Sequence, residues 1–182
     1  MAIDLHRPFT NPITRETFRC IAFDESAYIM EWTVHPGGYV PFEHIHTAQD
    51  EIFHIQQGVM NAKIGGVEQA GKRGEVIRIP RGVKHIAYNR QPEALICRVE
   101  YRPGLDQYKA MQCFAGLTLD GSLDRSGLVS IPKIMFLMRR GQFRSLAKPA
   151  WIPNWMFKLG MYLFFTVGTI LGWNKLYERY TT

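Results

Sequence analysis

Three histidines and one glutamate stand at positions from which their side chains can share one metal ion. His44 and His46 are two residues apart, so on a β-strand both imidazoles project from the same face, roughly 6.6 Å apart along the chain. Glu51 follows after a turn, on the next predicted strand, where it shares a face with Phe53 and therefore enters an apolar interior. His85 lies on a later strand. The spacing predicts that His44, His46, Glu51 and His85 meet from three strands inside one β-barrel.

Three imidazoles and a carboxylate that are buried together need a compensating cation, because buried polar groups require partners and buried charges require compensation. A divalent metal supplies both. The four ligands would leave it a residual positive charge and, if the ion is octahedral, two open positions. Such a site can chelate a small anion with two oxygen donors, such as an enolate, a catecholate or a hydroxy acid. We therefore predict one divalent ion per chain at these four residues.

The residues around these positions form two longer motifs. The chain reads Gly38, five residues, His44-Ile45-His46, four residues, Glu51, six residues, Gly58, and later Gly74, five residues, Pro80-Arg81-Gly82, two residues, His85, three residues, Asn89. Both strings resemble the signature motifs of the cupin superfamily, of the small, single-domain, metal-binding type. The resemblance implies a cupin jelly-roll (double-stranded β-helix) barrel and a bound Fe, Mn, Ni or Zn ion.

Different metals imply different reactions for such a barrel. With Fe(II) or another redox metal the resemblance implies a dioxygenase, and with Zn or Mn it implies isomerisation, decarboxylation or hydrolysis. Some cupins hold metal for structure alone or only bind a ligand, so a non-catalytic ligand-binding or sensing protein is the alternative. The predicted partner is a small organic molecule, and no residue is assigned a catalytic role. The candidates for the pocket wall are Met30, Trp32, Tyr88 and Arg98.

The remaining three histidines, His6, His35 and His54, are predicted to lie at the surface. His54 alternates with the apolar Phe53 and Ile55, so its side chain should point away from the interior that they enter.

The elements that must position the four ligands are short strands. From residue 17 to residue 101 apolar residues come in short, nearly alternating runs, separated by turn formers such as Pro36-Gly37-Gly38 and Gly65-Gly66. Many short strands without a helical period predict a mainly β fold, an antiparallel barrel or jelly roll, over residues 1–104.

After residue 104 the apolar period changes to that of helices. We predict one helix that ends near Asp120, a second that begins at Ser130 and a third over residues 154–173, so that residues 105–182 form a helical extension packed on the barrel or on a dimer partner. This extension resembles that of a group of small bacterial cupins, through the Asp120-Gly121 linker and the segment from residue 171 to residue 180.

One part of the extension is apolar on all sides. Residues 159–173 carry no charge and number 15, fewer than the roughly 17 to 25 that span a bilayer. We predict that the barrel or the second subunit of a homodimer covers this helix, with membrane-surface contact as the less favoured reading.

Charge and cysteine content limit which classes of protein this chain can belong to. The net charge is +6, yet residues 1–105 carry 12 basic and 12 acidic side chains, whereas residues 106–182 carry ten and four. We interpret the excess as a solvated basic face and expect no nucleic-acid partner. Cys20, Cys97 and Cys113 are too few and too scattered for a disulfide scaffold, so we expect reduced thiols. The first eleven residues lack the apolar run of a secretory signal, and we expect a cytoplasmic protein.

Overall fold

Two antiparallel β-sheets form the body of the molecule. The computed structural model describes residues 2–182. The strands are β1 (Phe9–Asn11), β2 (Glu16–Phe23), β3 (Tyr28–Val34), β4 (His44–His46), β5 (Asp50–Gln57), β6 (Val59–Ile64), β7 (Val67–Lys72), β8 (Val76–Ile79), β9 (His85–Tyr88), β10 (Leu95–Arg102) and β11 (Ala147–Pro149). One sheet has the order β1-β2-β3-β10-β5-β8 and the other the order β11-β4-β9-β6-β7. The predicted mainly β fold is confirmed.

Alternation along the central strands places the core between the sheets. In β3 every second residue is buried, and β10 alternates in the same way from Leu95 to Val99. β10 lies between β3 and β5, so Cys97 pairs with Trp32 on one side and with Ile55 on the other. Because successive side chains of a strand point to opposite faces, this register aligns the apolar faces of three neighbouring strands.

Four helices follow the barrel strands, where the sequence predicted about three. They are α1 (Gln107–Leu119), α2 (Ile131–Arg140), α3 (Asn154–Ile170) and α4 (Asn174–Thr181). The first two agree with the prediction, but the helix predicted over residues 154–173 ends early. Gly172 has a φ of 74°, and Trp173 N–H donates to the Gly168 carbonyl at 2.8 Å. This is a glycine C-terminal motif, which ends α3 and lets α4 turn away.

The extension also contains a strand that the sequence did not predict. β11 pairs antiparallel with β4, and Ala147 lies opposite His46. Flanking bonds extend the pairing, because Thr47 N–H donates to the Leu146 carbonyl at 3.0 Å and Ala150 N–H donates to the Glu43 carbonyl at 2.9 Å. A chain segment from the helical extension therefore completes the sheet that carries His44 and His46.

A second apolar cluster joins the helices. Phe136 and Leu137 of α2 pack with Leu117 of α1 and with Tyr180 of α4. The hydroxyl of Tyr180 donates to Asp120 at 2.6 Å, so α4 is tied to the end of α1 by a polar contact as well. These contacts fix the helices against one another beside the barrel.

α3 is only partly covered by the rest of the chain. It packs on α2, with Phe157 and Gly168 buried. Its opposite side is exposed in the described chain. The barrel therefore does not cover this side, and cover by a second subunit, the other expectation, stays a prediction. No single helix in the described chain is long and apolar enough to cross a membrane, whereas α3 and α4 together meet that test by length and composition but are bent by 96°.

Candidate metal centre and its cavity

The four predicted ligands come together at one point of the barrel. His44 and His46 lie on β4, Glu51 on β5 and His85 at the start of β9. One donor atom from each of these residues lies within 4.8 Å of the others. His44 and His85 are paired across neighbouring strands, whereas Glu51 reaches the group from the facing sheet. The three-residue strand β4 can supply two of the four side chains because residues two apart on a strand face the same way.

Three of the donor atoms face one another and have no separate partner. Nε2 of His85 lies 2.8 Å from Oε2 of Glu51, and Nε2 of His46 lies 3.5 Å from the same oxygen. Among the described residues these three buried atoms make no regular hydrogen bond. Buried polar atoms without partners are rare in folded proteins and often mark an absent ion or ligand.

Backbone carbonyls orient two of the rings. Nδ1 of His85 lies 2.9 Å from the Val83 carbonyl, and Nδ1 of His44 lies 3.3 Å from the Phe42 carbonyl. A carbonyl only accepts, so each Nδ1 carries the proton and donates it. The other ring nitrogen, Nε2, is then available to a metal, which is the usual arrangement of histidine ligands.

The protonation preferences of the four groups depend on their neighbours. Burial, together with the nearby His85 and His46, lowers the pKa of His44 to about 3, so this ring is neutral. Burial alone would raise the pKa of Glu51, but His46 and His85 outweigh burial and hold that pKa well below its usual value. Burial alone would lower the pKa of His85, but the neighbouring Glu51 outweighs burial, and the pKa of His85 is raised. A carboxylate among imidazoles is a donor set that fits Fe, Mn, Ni or Zn.

The cluster lies on the wall of a largely apolar cavity of about 250 Å³. Met30 and Trp32 line this cavity, as the sequence suggested, whereas Tyr88 and Arg98 do not. Tyr88 alternates with His85 and Ala87 and therefore points outward, where its hydroxyl donates to Glu68. Arg98 is also on an outer face and contacts Glu100 at 3.0 Å.

Part of the cavity wall comes from outside the barrel, which the sequence analysis did not anticipate. The extension contributes mostly apolar side chains, including Met111, Phe114, Ile134, Met135, Met138, Trp151, Ile152 and Phe157. The helical extension therefore shapes the space beside the metal ligands.

Two ionisable residues of the cavity were also missed. Glu16 is buried and accepts a hydrogen bond from Trp32 Nε1 at 3.0 Å, and burial raises its pKa to about 7. Tyr101 pairs with Glu51 in the sheet, and burial and that carboxylate raise its pKa well above the usual value. Both residues continue an alternation already visible in the sequence, Glu16 with Phe18 and Tyr101 with Val99, so extending each strand by one inward position would have found them.

The remaining histidines lie outside the cluster. The side chain of His54 is 39% exposed and lies 3.2 Å from Glu100, and His6 and His35 are exposed. This is the arrangement that alternation predicted.

Comparisons with known proteins agree with the fold. A family model described as the cupin domain matches residues 30–99. The oxidoreductase iacF of Pestalotiopsis fici is 37% identical over 82 residues, which are 44% of this chain and 38% of that protein, so the chain matches well under half of the length of this relative.

Solved structures align with part of the chain at low sequence identity. KdgF from Halomonas sp. aligns with a TM-score of 0.50 and 17% identity over 59% of this chain and 98% of that one. The cupin domain of Cnp3 from Schizosaccharomyces pombe aligns with a TM-score of 0.48 and 17% identity over 69% of this chain and 78% of that one. With both signature motifs, the matched family model and the double-sheet barrel in agreement, the chain carries a cupin superfamily domain, followed by C-terminal helices.

Proposed function

We propose that this protein is a metal-dependent enzyme that acts on a small, largely apolar organic anion inside the barrel. A divalent ion would be held by His44, His46, Glu51 and His85. The observation that supports this most is the convergence of four donor atoms within 4.8 Å on the wall of an apolar cavity. A purely structural metal would have no need of a cavity beside it.

The residues of the cavity suggest how a substrate would be held. A bound metal would supply a Lewis acid and, for a redox metal, electrons. Glu51 lowers the net charge of the site without cancelling a divalent charge, so an anionic head group is attracted. The walls around Met30, Trp32 and Met135 suit an apolar body and exclude water from it. Glu16, with its pKa of about 7, can give or take a proton near neutral pH.

An oxidoreductase of the dioxygenase type is the reaction class that we favour over an isomerase or a lyase. The curated relative from Pestalotiopsis fici is named an oxidoreductase, and its similarity spans 82 residues. The ligand set suits Fe(II) as well as other divalent ions. The co-substrate would then be molecular oxygen, and oxygen uptake in the presence of a chelating substrate would be the activity to measure.

Metal analysis tests the site. Untagged protein purified without chelator should contain about one divalent ion per chain, measured by mass spectrometry. His46→Ala and His85→Ala should each lower that content sharply, because each removes one of four ligands. His54→Ala is the matched control and should keep the ion, since His54 lies on the outer face. If His46→Ala kept its metal content and His54→Ala lost it, the assignment of the four ligands would be contradicted.

Ligand exchange tests whether the metal is catalytic. In the Co(II)-substituted protein, small chelating anions should change the visible absorption spectrum, because they occupy exchangeable positions on the ion. If no such anion alters the spectrum, the enzyme proposal is contradicted. The non-catalytic alternative, a binding or sensing barrel with a structural metal, would then take its place.

A further inference from the structure

One side of α3 presents a continuous apolar surface to the outside. We call it the α3 apolar face: Trp155, Leu159, Tyr162, Leu163 and Ile170, whose exposed fractions are 67%, 61%, 57%, 56% and 80%. Their spacing of four, seven, eight and fifteen residues from Trp155 places them on one side of a helix. That side lies opposite Phe157 and Gly168, which pack inward.

The α3 apolar face continues beyond both ends of the helix. Trp151 precedes α3 and is 65% exposed, and Leu171 follows it and is 60% exposed. An apolar surface of this extent normally marks a contact with another protein or a membrane. Exposed tryptophan and tyrosine side chains are typical of the boundary between water and lipid, because one end of each is apolar and the other polar.

The segment that contains this face carries charges of one sign only. Residues 125–177 contain eight basic residues and no acidic one. Lys158 is exposed on α3 itself, and the guanidinium of Arg139 lies 4.7 Å from the centre of the Tyr162 ring, beside the α3 apolar face. An exposed apolar surface with basic side chains beside it suits the surface of an anionic membrane.

The same charge pattern argues against a second copy of this chain as the occupant. In a twofold dimer both subunits use the same patch. Two α3 faces would then bring Lys158 and Arg139 of each subunit to a surface of equal sign, with no acidic residue of the 125–177 segment to offset them. Anionic phospholipid head groups offset them directly.

The cavity lies next to the start of α3. Trp151, Ile152 and Phe157 line the cavity, and Trp151 is also largely exposed. The ring of Trp151 lies 6.0 Å from that of Phe42, which lies 5.7 Å from the ring of His44. A row of neighbouring aromatic rings therefore extends from the exposed Trp151 to the ligand cluster.

We propose that the α3 apolar face and Trp151 bind the surface of an anionic phospholipid bilayer. α3 lies in the plane of the membrane, its apolar side chains enter the boundary between head groups and acyl chains, and Lys158 and Arg139 contact the phosphates.

Co-sedimentation with vesicles tests this docking. The full-length protein should bind phosphatidylcholine vesicles that contain phosphatidylglycerol and bind pure phosphatidylcholine vesicles at least about tenfold more weakly. Added NaCl should weaken binding, because it screens the charges. The assay needs neither metal nor turnover, so its result is independent of the proposed enzyme activity.

Matched variants identify the surface. The double variant Leu159→Ser/Leu163→Ser should lower the vesicle partition coefficient at least about tenfold, because it removes two apolar side chains from the lipid. Both positions are exposed, so the fold should be kept. The control is Val67→Ser/Val76→Ser, which changes two residues of similar exposure, 67% and 55%, on the barrel and should bind like wild type.

A second pair isolates the charge. Arg139→Gln/Lys158→Gln should reduce binding to anionic vesicles about tenfold, whereas Lys72→Gln/Arg73→Gln, with the same charge change on the barrel, should not. Vesicles with brominated acyl chains should quench tryptophan fluorescence of the wild type but not of Trp151→Phe/Trp155→Phe.

Three results would overturn the proposal. The first is that the protein does not bind anionic vesicles, and the second is that the barrel control variants lose as much binding as the α3 variants. The third is that light scattering shows a dimer, that Leu159→Ser/Leu163→Ser dissociates it, and that neither wild type nor variant binds vesicles. The last result would assign the α3 apolar face to a second copy of the chain.

Discussion

Two carboxyl groups line the cavity, and their surroundings move their pKa values in opposite directions. Glu51 is buried, but His46 and His85 outweigh burial and hold its pKa well below the usual value. Glu16 is equally buried but has no cationic neighbour to compensate, and its pKa rises to about 7 even though Trp32 donates a hydrogen bond to it. One carboxyl group is therefore suited to a cation and the other to carrying a proton.

The raised pKa of Glu16 predicts a pH-dependent penalty on stability. The unfolded carboxyl ionises near its ordinary pKa of 4.5 and the folded one near 7. Below pH 4.5 both states are protonated and no penalty exists. Between pH 4.5 and 7 the unfolded state loses its proton more readily, so stability falls with rising pH, by about 3 kcal/mol in total.

Glu16→Gln removes this titration, so the stability of the variant relative to wild type should increase from pH 5 to pH 8. Urea unfolding of both proteins at the two pH values measures the change. Glu93→Gln, at an exposed carboxyl, is the control and should follow wild type. Parallel pH profiles for wild type and Glu16→Gln would show that Glu16 ionises normally.

The four candidate metal ligands could be predicted from the sequence because their spacing follows the period of a strand. The spacing of His44, His46 and Glu51 needs only the two-residue period of a strand and one turn. Glu16 and Tyr101 were missed because each stands near the end of a strand, two positions beyond Phe18 and Val99, the outermost inward-facing apolar residues that were recognised. A polar residue in such a place is also compatible with a loop, and only the register of the sheet decides.

Among the elements, α3 and β11 differ most from what the sequence predicted. The start of α3, directly after Pro153, was predicted correctly, but its end was not, because Gly172 adopts a positive φ within an otherwise apolar run. β11 has three residues, one of them a proline, and its pairing with β4 depends on residues about a hundred positions away. Local pattern carries no information about such a pairing. Cys20, Cys97 and Cys113, by contrast, form no disulfide in the described chain, in agreement with the reduced thiols predicted from their scattered positions, and all three are buried.

The packing of α3 on α2 depends on one glycine. A Cβ placed on Gly168 would lie 2.4 Å from the ring of Phe136 and 2.6 Å from that of Trp173. Both rings are held by other contacts, so neither can move away freely. The absence of a side chain at this position lets the two helices approach.

Gly168→Ala should therefore destabilise the protein by about 1–3 kcal/mol, the usual effect of overpacking. Gly160→Ala is a matched control on the same helix, since its Cβ would meet the flexible end of Met135 at 2.9 Å. There alanine gains up to about 1 kcal/mol of helix propensity, so the net effect should be close to zero or stabilising. Urea unfolding measures both, and equal effects of the two variants would show that Gly168 permits no close approach.

At the scale of the whole molecule, barrel and extension share both a sheet and a cavity. β11 adds a strand beside β4, and side chains of α1 and α2 line the space next to the metal ligands. The second apolar cluster contains residues from both ends of the chain, because Ile3 packs against the group that includes Tyr180. The Ile3 N–H also donates to the Tyr180 carbonyl at 3.0 Å. The barrel strands alone would leave apolar surface uncovered.

Truncation after Pro103 should therefore lower the thermal midpoint and cause aggregation, because it removes the helices that cover Phe9 and Phe18 through Phe114. The same truncation should weaken metal binding, since β4 loses one neighbour. Calorimetry, light scattering and metal analysis of the shortened chain measure these effects. A truncated protein that stays monodisperse and keeps the midpoint of the full chain would show that the extension contributes no packing.

The pairing of β4 with β11 also sets the order of events during synthesis. The ribosome releases the strand that bears His44 and His46 long before residues 147–149, which are its second neighbour in the sheet. Contacts between distant parts of a chain form late in folding. The sheet beside His44 and His46 is therefore complete only after residues 147–149 have left the ribosome, and the proposed ion would find its finished site only then.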